Sequence, residues 1–573
     1  MRPPAPIRLL ALLSFLLASE APAQDLRFVS LKPSGAPGEW TAVLTGRGVR
    51  NPGSLSFRAD GTALTAEPAG TEGDQLRVRL KGVPAGATRI EAGSKGRPEA
   101  AVEVGAGSGP FDGWIVYHVM MSMFANGSPG NDGEITGWKH PNYAGGDLQG
   151  ILQHAGHIQD LGANAVWLSP VFLAQTSHGY DVQSYYRISN ALGVPGDPPA
   201  SLEVFRSLVK DLHNRGIKVI LDLPLNHASA AYRRDEGDPE KLGPRATGAR
   251  QEAEKVWESW KSGLRFWDFD HAPTRKFLKN AALYWLTKED VDGLRLDYVR
   301  GVPHDFWAEL YADVKKAKPN AFLVGEAWID GQSQEANARD VATYFAKVDG
   351  RPQLDTLFDF PLQITMTQVF AQGSPVTDLE TWLQATDALY GPGARPTRFL
   401  DNHDTARFLS WNPRPERLTA AVAFLASLSG PIVLFYGTET GLTHGGPKTG
   451  FTDVGRIPMP WQSLDKALVA QVAKILKTRR EHPALSRGGR IPLLAAKDHL
   501  VMAKVAPEET VFVGVNLGNE PKEVTVDASG LLSGEVTLAP LLGDSTATFT
   551  PGTGQLKWRL PAGSTVLIAA PGS

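Results

Sequence analysis

Eight short apolar runs, spread over residues 114–487 and separated by longer amphipathic segments, limit what this chain can fold into more than any other feature. The runs are WIVYHVM, NAVWLSP, KVILDLPLNH, VDGLRLDYV, AFLVGEAW, TLFDFPL, TRFLDNHD and PIVLFYG. Between them, LQGILQHAGHIQDLG, SLEVFRSLVKDLHNRG and HDFWAELYADVKKAK repeat apolar residues with the period of a helix. Strands that alternate with helices in this way build a parallel sheet covered on both faces. Eight units within about 370 residues predict a closed (β/α)8 barrel with insertions. An open doubly wound sheet would need a glycine-rich phosphate turn after an early strand, and none is present.

The flanks have another texture. Residues 24–106 contain short alternating runs (LRFVSL, EWTAVLTG, SLSFRA, QLRVRL, ATRIEAG, AAVEVG) divided by Gly, Pro and Asp, which predicts a small β-sandwich. The Gly-rich stretch 105–110 reads as a linker to the barrel at 111–487. Strand-like runs return at 488–573 (HLVMAKVA, TVFVGVNLG, EVTVDA, GEVTLAPLL, QLKWRL, STVLIAA), so a second β-domain is expected to follow the barrel.

At the N-terminus, Arg2 and Arg8 precede LLALLSFLLAS, and Ala21-Pro22-Ala23 follows. This is the grammar of a secretory signal peptide over 1–23, with an apolar run short for a membrane span; the alternative is an uncleaved anchor. The chain has 0 cysteines, which excludes disulfides, thiol catalysis and Cys-based zinc. An exported protein without disulfides is expected in a bacterial periplasm or outside the cell. With 58 Lys+Arg against 61 Asp+Glu, nothing electrostatic favours nucleic acid or an anionic membrane as partner.

In a barrel of this class the active site lies at the C-terminal ends of the strands. Polar residues cluster at those ends: His178, Tyr180 and Asp181; Asp222, Asn226 and His227; Arg295 and Asp297; Glu326; Asn402, His403 and Asp404. Any one cluster could simply cap a loop or start a helix. Five at the same end of one barrel point to a catalytic face. No nucleophile elbow, HExxH or phosphate loop accompanies them. What remains is a set of carboxylates, Asp297, Glu326 and Asp404, with Arg and His partners. Two carboxyl groups of opposite protonation state suit cleavage of a glycosidic bond.

With DLPLNH (222–227), GLRLD (293–297), GEAW (325–328) and FLDNHD (399–404) in that order, the chain resembles the α-amylase family, glycoside hydrolase family 13. GANAVWLSPVF, HGYDVQSYY and GGDLQGI support the likeness, which extends over nearly the whole mature length. The resemblance implies Asp297 as nucleophile, Glu326 as general acid/base and Asp404 as a carboxylate gripping the distorted sugar. Arg295 would keep Asp297 ionised. His227, His403, His178, Tyr180 and Asn402 would line the −1 subsite, and Arg300 the acceptor side. It further implies retention of anomeric configuration through a glycosyl-enzyme intermediate.

The N-terminal domain, VPHDFWAELY and IPMPW (457–461) look like the cyclomaltodextrinase, neopullulanase and maltogenic amylase group. That group acts on cyclodextrins, pullulan and malto-oligosaccharides. Its N-terminal domain is associated with glucan binding or homodimerisation. The usual Glu four residues after the nucleophile is Gly301 here. NGSPGND (126–132) with GGD (145–147) resembles the family's calcium loop, which would use Asn126, Ser128, Asn131, Asp132, Gly145 and Asp147. The insert at about 228–266 is short for the family's B domain, and Asp268 would be structural or cleft-lining. Alternatives within the family are an endo-acting α-amylase on starch and a 4-α-glucanotransferase. A non-catalytic glucan-binding protein would have lost a carboxylate or Arg295, and all are intact.

Overall fold

A computed structural model of the chain describes residues 26–571 except 35, 47, 95–96, 106, 108, 133–143, 233–263, 447 and 451. The leader read at 1–23 and most of the insert read at 228–266 lie outside the described residues.

The eight apolar runs supply the eight strands of one parallel sheet, here labelled β1 (Ile115–Val119), β2 (Ala165–Leu168), β3 (Lys218–Leu223), β4 (Gly293–Leu296), β5 (Phe322–Gly325), β6 (Thr356–Leu357), β7 (Arg398–Phe399) and β8 (Ile432–Phe435). β8 pairs with β1, and a parallel bridge between Phe358 and Thr397 joins the β6 and β7 ends, so the sheet closes on itself. The inside of the barrel is packed with Val116, Ala165, Trp167, Ile220, Phe322, Val324, Phe399 and Val433, plugged below by Phe111 and Trp114. Outside, helices such as Leu148–Asp160 and Pro198–Asn214 bury their apolar stripes on the strands.

Register decides which side chains share the inner face. Asp222 on β3 sits opposite Arg295 on β4, and Arg295 opposite Val324 on β5. Because side chains alternate with period two, Asp297 and Glu326 continue that inner row beyond the strand ends. Trp167 and His118 join it from β2 and β1.

The N-terminal domain is a sandwich of two four-stranded antiparallel sheets. One of its strands, Thr65–Glu72, escaped the sequence pattern because nearly every residue is exposed and Pro68 and Gly70 interrupt it. Such breaks are tolerated at a sheet edge, where this strand lies. The C-terminal domain pairs a five-stranded sheet with a three-stranded one. Its first strand, Gly489–Ala495, also went unread; it is largely buried and lies against Arg27–Pro33 of the N-terminal domain. The two β-domains consequently share one core, in which Phe28, Leu31 and Leu80 meet Phe512, Trp558 and Ile568.

The barrel is bound to this unit through the helix Thr377–Tyr390. Gln384 accepts from Phe28 N–H at 2.6 Å and donates to Phe28 C=O at 2.7 Å, standing in for a neighbouring strand. Arg490 of the C-terminal domain pairs with Glu380 and Asp387 of the same helix at 2.5 and 2.6 Å. Truncation of Phe28, fully buried in the shared core, should cost about 3–5 kcal/mol. Urea denaturation of Phe28→Ala followed by tryptophan fluorescence measures it; a cost below about 1 kcal/mol would show that the N-terminal domain is not integral to the fold.

Candidate active site

The buried guanidinium of Arg295 organises one side of the barrel mouth. Its Nη1 lies 2.9 Å from Asp222 Oδ1 and 2.7 Å from Asp297 Oδ1, and its Nη2 lies 2.8 Å from Glu326 Oε2. Asp222 is held in turn by Trp167 Nε1–H at 3.0 Å and the Tyr180 hydroxyl at 2.9 Å. The guanidinium carbon sits 5.2 Å from the Trp167 ring centroid and 5.8 Å from that of Tyr180, within cation–π range. Arg295 and Asp222 are 0% exposed, whereas Asp297, Glu326 and Asp404 keep 6–8%. The first two therefore form the floor, and the three carboxylates face the opening.

Just after Asp297 the chain turns sharply. Tyr298 has φ +39°, a left-handed conformation that costs an aromatic residue on the order of 1–3 kcal/mol. The turn aims the Tyr298 N–H at Glu326 Oε2, 3.3 Å away. Strain here thus helps to orient the second carboxyl group.

Asp404 stands on the opposite side, on the loop after β7. Its Oδ1 is 2.5 Å from Arg456 Nη2 and its Oδ2 is 3.1 Å from His403 Nε2. Asn402 Oδ1 accepts the Asp404 N–H at 2.9 Å and shapes the turn. His403 Nε2 is also 2.6 Å from the Tyr180 hydroxyl, linking the two sides, and the Tyr180 and His403 rings are parallel with centroids 5.5 Å apart. His227 Nε2 lies 2.9 Å from the Tyr180 carbonyl.

Burial raises the Glu326 carboxyl up to about 8; Arg295 opposes this, while the charges of Asp297 and Asp404 reinforce it. Burial also raises Asp222, to about 7, against the pull of Arg295. Burial, Arg456 and Arg295 hold His403 well below the usual imidazole range, and burial lowers His227. At neutral pH the mouth therefore presents neutral imidazoles, an Arg295 cation and a protonated Glu326 carboxyl.

The structure gathers Asp297, Glu326, Asp404, Arg295, His227, His403, Tyr180 and Asn402 around this mouth. His178 flanks it: its Nδ1 accepts the Tyr180 N–H at 3.1 Å, and its ring centroid is 5.7 Å from that of Tyr180. Asp181 instead pins its own loop, accepting Gln175 N–H at 2.9 Å, and Asp268 caps a turn at Asp270 N–H, 3.0 Å away. Arg300 does not join the group: its Nη1 is 3.0 Å from Gln332 Oε1 and 3.0 Å from Asp340 Oδ2. Beside it, a Cβ on Gly301 would lie 3.0 Å from the Tyr298 ring and 3.1 Å from both Asn226 Cβ and Phe266. A larger side chain at this position would need these neighbours to give by a few tenths of an ångström.

Sequence reasoning missed three contributors. Trp167 and His118 were absorbed into apolar runs, although an imidazole inside such a run was a visible signal. His118 stacks on Trp167 with centroids 3.5 Å apart, beneath His403. Arg456 precedes the IPMPW motif and went unread.

At the calcium loop, Asn126 Nδ2 contacts Asp132 Oδ2 at 2.8 Å, and a Cβ on Gly145 would fall 2.5 Å from Asp132 Oδ1. Asn131 Oδ1 is buried without a hydrogen-bond partner. The Asp132 carboxylate beside Asn126 and Gly145, and the orphaned Asn131 oxygen, are oxygens of the kind that suit a hard cation. Asp147 departs from the expected set. It caps the helix Leu148–Asp160, accepting Gly150 N–H at 2.7 Å and Ser128 N–H at 2.8 Å. Among the described residues no group of three or more His, Asp or Glu side chains could hold a metal.

Residues 118–482 match the family described as alpha amylase, catalytic domain. A cyclomaltodextrinase of Geobacillus thermopakistaniensis is 28% identical over 464 residues, covering 74% of this chain and 73% of that protein. Neopullulanase 2 of Thermoactinomyces vulgaris is 28% identical over 441 residues, 72% of this chain and 70% of that protein. Among solved structures, the α-amylase of Geobacillus thermoleovorans, complexed with acarbose, superposes with a TM-score of 0.67 at 26% identity, over 80% of this chain and 98% of that one.

A carboxyl group with its pKa near 8 is protonated at neutrality and becomes an anion only above that pH. A carbon-13 NMR titration of glutamate-labelled protein should show one resonance titrating at about 8 that disappears in Glu326→Gln. If every glutamate titrated in the ordinary range for that side chain, this electrostatic picture would be contradicted.

Proposed function

Because the chain belongs to the α-amylase family and is thereby a glycoside hydrolase, we propose that it is a retaining enzyme. It cleaves α-1,4-glucosidic bonds of cyclodextrins, pullulan or malto-oligosaccharides. The observation that carries this reading is the single guanidinium of Arg295, which hydrogen-bonds Asp297 through one terminal nitrogen and lies in ion-pair contact with Glu326, 2.8 Å away, through the other. Gripping both from one planar group supports the close spacing of retaining enzymes, about 5–5.5 Å, over the wider gap of inverting ones. Relatives named cyclomaltodextrinase and neopullulanase support the substrate class.

In this reading Asp297, paired with Arg295, attacks the anomeric carbon while protonated Glu326 gives its proton to the leaving oxygen. Glu326, now a carboxylate, then takes a proton from water, and that water releases the sugar with its configuration retained. His403 and His227, held neutral by burial, act as hydrogen-bond partners for the −1 sugar rather than as competing acids. Asp404 accepts hydroxyl hydrogens of the distorted ring.

Rates on β-cyclodextrin, pullulan and soluble starch measured side by side, with the product anomer read by NMR, test the reading. Initial products should be α-anomers, Asp297→Asn should lose at least about 10³-fold in kcat, and β-cyclodextrin should be cut faster than starch. A β-anomeric product or a fully active Asp297→Asn would overturn the mechanism, and much faster starch cleavage the substrate class.

We also propose calcium at the loop formed by Asn126, Asn131, Asp132 and the Gly145 carbonyl, with Asp147 anchoring the loop as a helix cap. A bound ion would supply charge neutralisation that ties 126–132 to 144–147. Isothermal titration of chelator-treated protein should show a site that Asp132→Ala abolishes, and EDTA should lower Tm by several degrees. An unchanged Tm and no heat of binding would rule the ion out.

A further inference from the structure

Asp404 depends on a cation that neither the motif FLDNHD nor the strand carrying it provides. Asp404 is 8% exposed, and a carboxylate so buried needs a charged or hydrogen-bonding partner to offset its lost hydration. Its nearest neighbour on its own loop, His403, is 3.1 Å away, but burial and the adjacent arginines keep that imidazole from carrying charge. Among the described residues Arg456 is the one arginine or lysine in ion-pair contact with Asp404, its Nη2 lying 2.5 Å from Oδ1.

The guanidinium of Arg456 is itself fixed. Its Nε donates to the His403 carbonyl at 2.8 Å, so one planar group grips both the backbone and the carboxylate of the Asn402–Asp404 turn. The segment leading to it is tied to the same turn: Thr452 N–H donates to the Asp404 carbonyl at 3.0 Å, and the Gly455 carbonyl accepts Arg407 Nε–H at 2.9 Å. Such a fork fits a carboxylate held at a set angle, which a lysine's point charge would only partly reproduce.

We propose that Arg456 is a positioning residue for the hydrolytic reaction, acting through Asp404. It fixes Asp404 by its Oδ1 and leaves Oδ2, beside His403, for the sugar. The inference rests on the hydrolase reading above. The arrangement divides the three carboxylates of the mouth between two arginines. Arg295 serves Asp297 and Glu326, and Arg456 serves Asp404. Arg456 from the segment after β8 and His403 on its own loop touch Asp404, whose charge also acts on Glu326 and Tyr180. Asp404 and Glu326 feel one another's charge. Removing Arg456 would leave the Asp404 carboxylate free to rotate, and the oxygen that must accept sugar hydroxyls would no longer be held in place.

The test compares wild type, Arg456→Gln and Arg456→Lys on maltotriose, with Tm measured for each. In Arg456→Gln, kcat should fall on the order of 10²-fold with KM changed less than about threefold and Tm close to that of wild type. Arg456→Lys, which restores the charge but not the fork, should recover part of kcat. A kcat within about threefold of wild type in Arg456→Gln, or a loss of kcat accounted for by a fall in Tm, would overturn the proposal. So would a loss confined to KM, the mark of direct sugar binding. A wild-type enzyme inert on every α-glucan would defeat the hydrolase reading first, and this proposal with it.

Discussion

The structure depends on placing one permanent cation, Arg295, at the inner face of a barrel where apolar side chains would pack at lower cost. Stripping a guanidinium of water costs several kcal/mol unless anions and hydrogen bonds replace it. Asp222, Asp297 and Glu326 replace it here, with Trp167 and Tyr180 as faces for its flat sides. The site follows from this requirement. Asp222 must sit in register on β3, Asp297 and Glu326 must emerge just beyond β4 and β5, and Tyr298 must accept a strained turn. One interaction thereby sets where the carboxyl groups stand, while burial raises Glu326 against the pull of the same cation.

Much of this was legible in the residues. The barrel could be read because each strand run is short, apolar and followed by an amphipathic helix, and all eight runs became strands. The carboxylates could be read because they follow those runs. Two kinds of feature could not. The exposed edge strand Thr65–Glu72 carries no alternation, since neither of its faces is buried. Arg456 could not be placed because its partner lies 52 residues earlier, and no local periodicity encodes a contact between two loops at one barrel mouth. Gly301 was visible as a departure from the family pattern, but its tight surroundings, with Asn226, Phe266 and Tyr298 close by, belong to tertiary packing alone.

The flanking domains have a part in the same logic. The N-terminal sandwich and the C-terminal domain share a hydrophobic core, and both are fastened to the helix Thr377–Tyr390 by Gln384, Glu380 and Asp387. Arg479, wholly buried and pulled down to about 9 by that burial, donates to the carbonyls of Ala426, Leu428, Gly430 and Asp112 at the foot of the barrel. The fold thus braces the barrel from below and leaves the strand ends above open for chemistry.

Arg295 holds Asp297 as the nucleophile beside a protonated Glu326. The intermediate can be trapped with a 5-fluoro-α-glucosyl fluoride and the adduct located by peptide mass spectrometry. One glycosyl group should be esterified to the peptide carrying Asp297 and be lost on incubation with maltose or water. No covalent adduct, or one on Glu326 or Asp404, would contradict it.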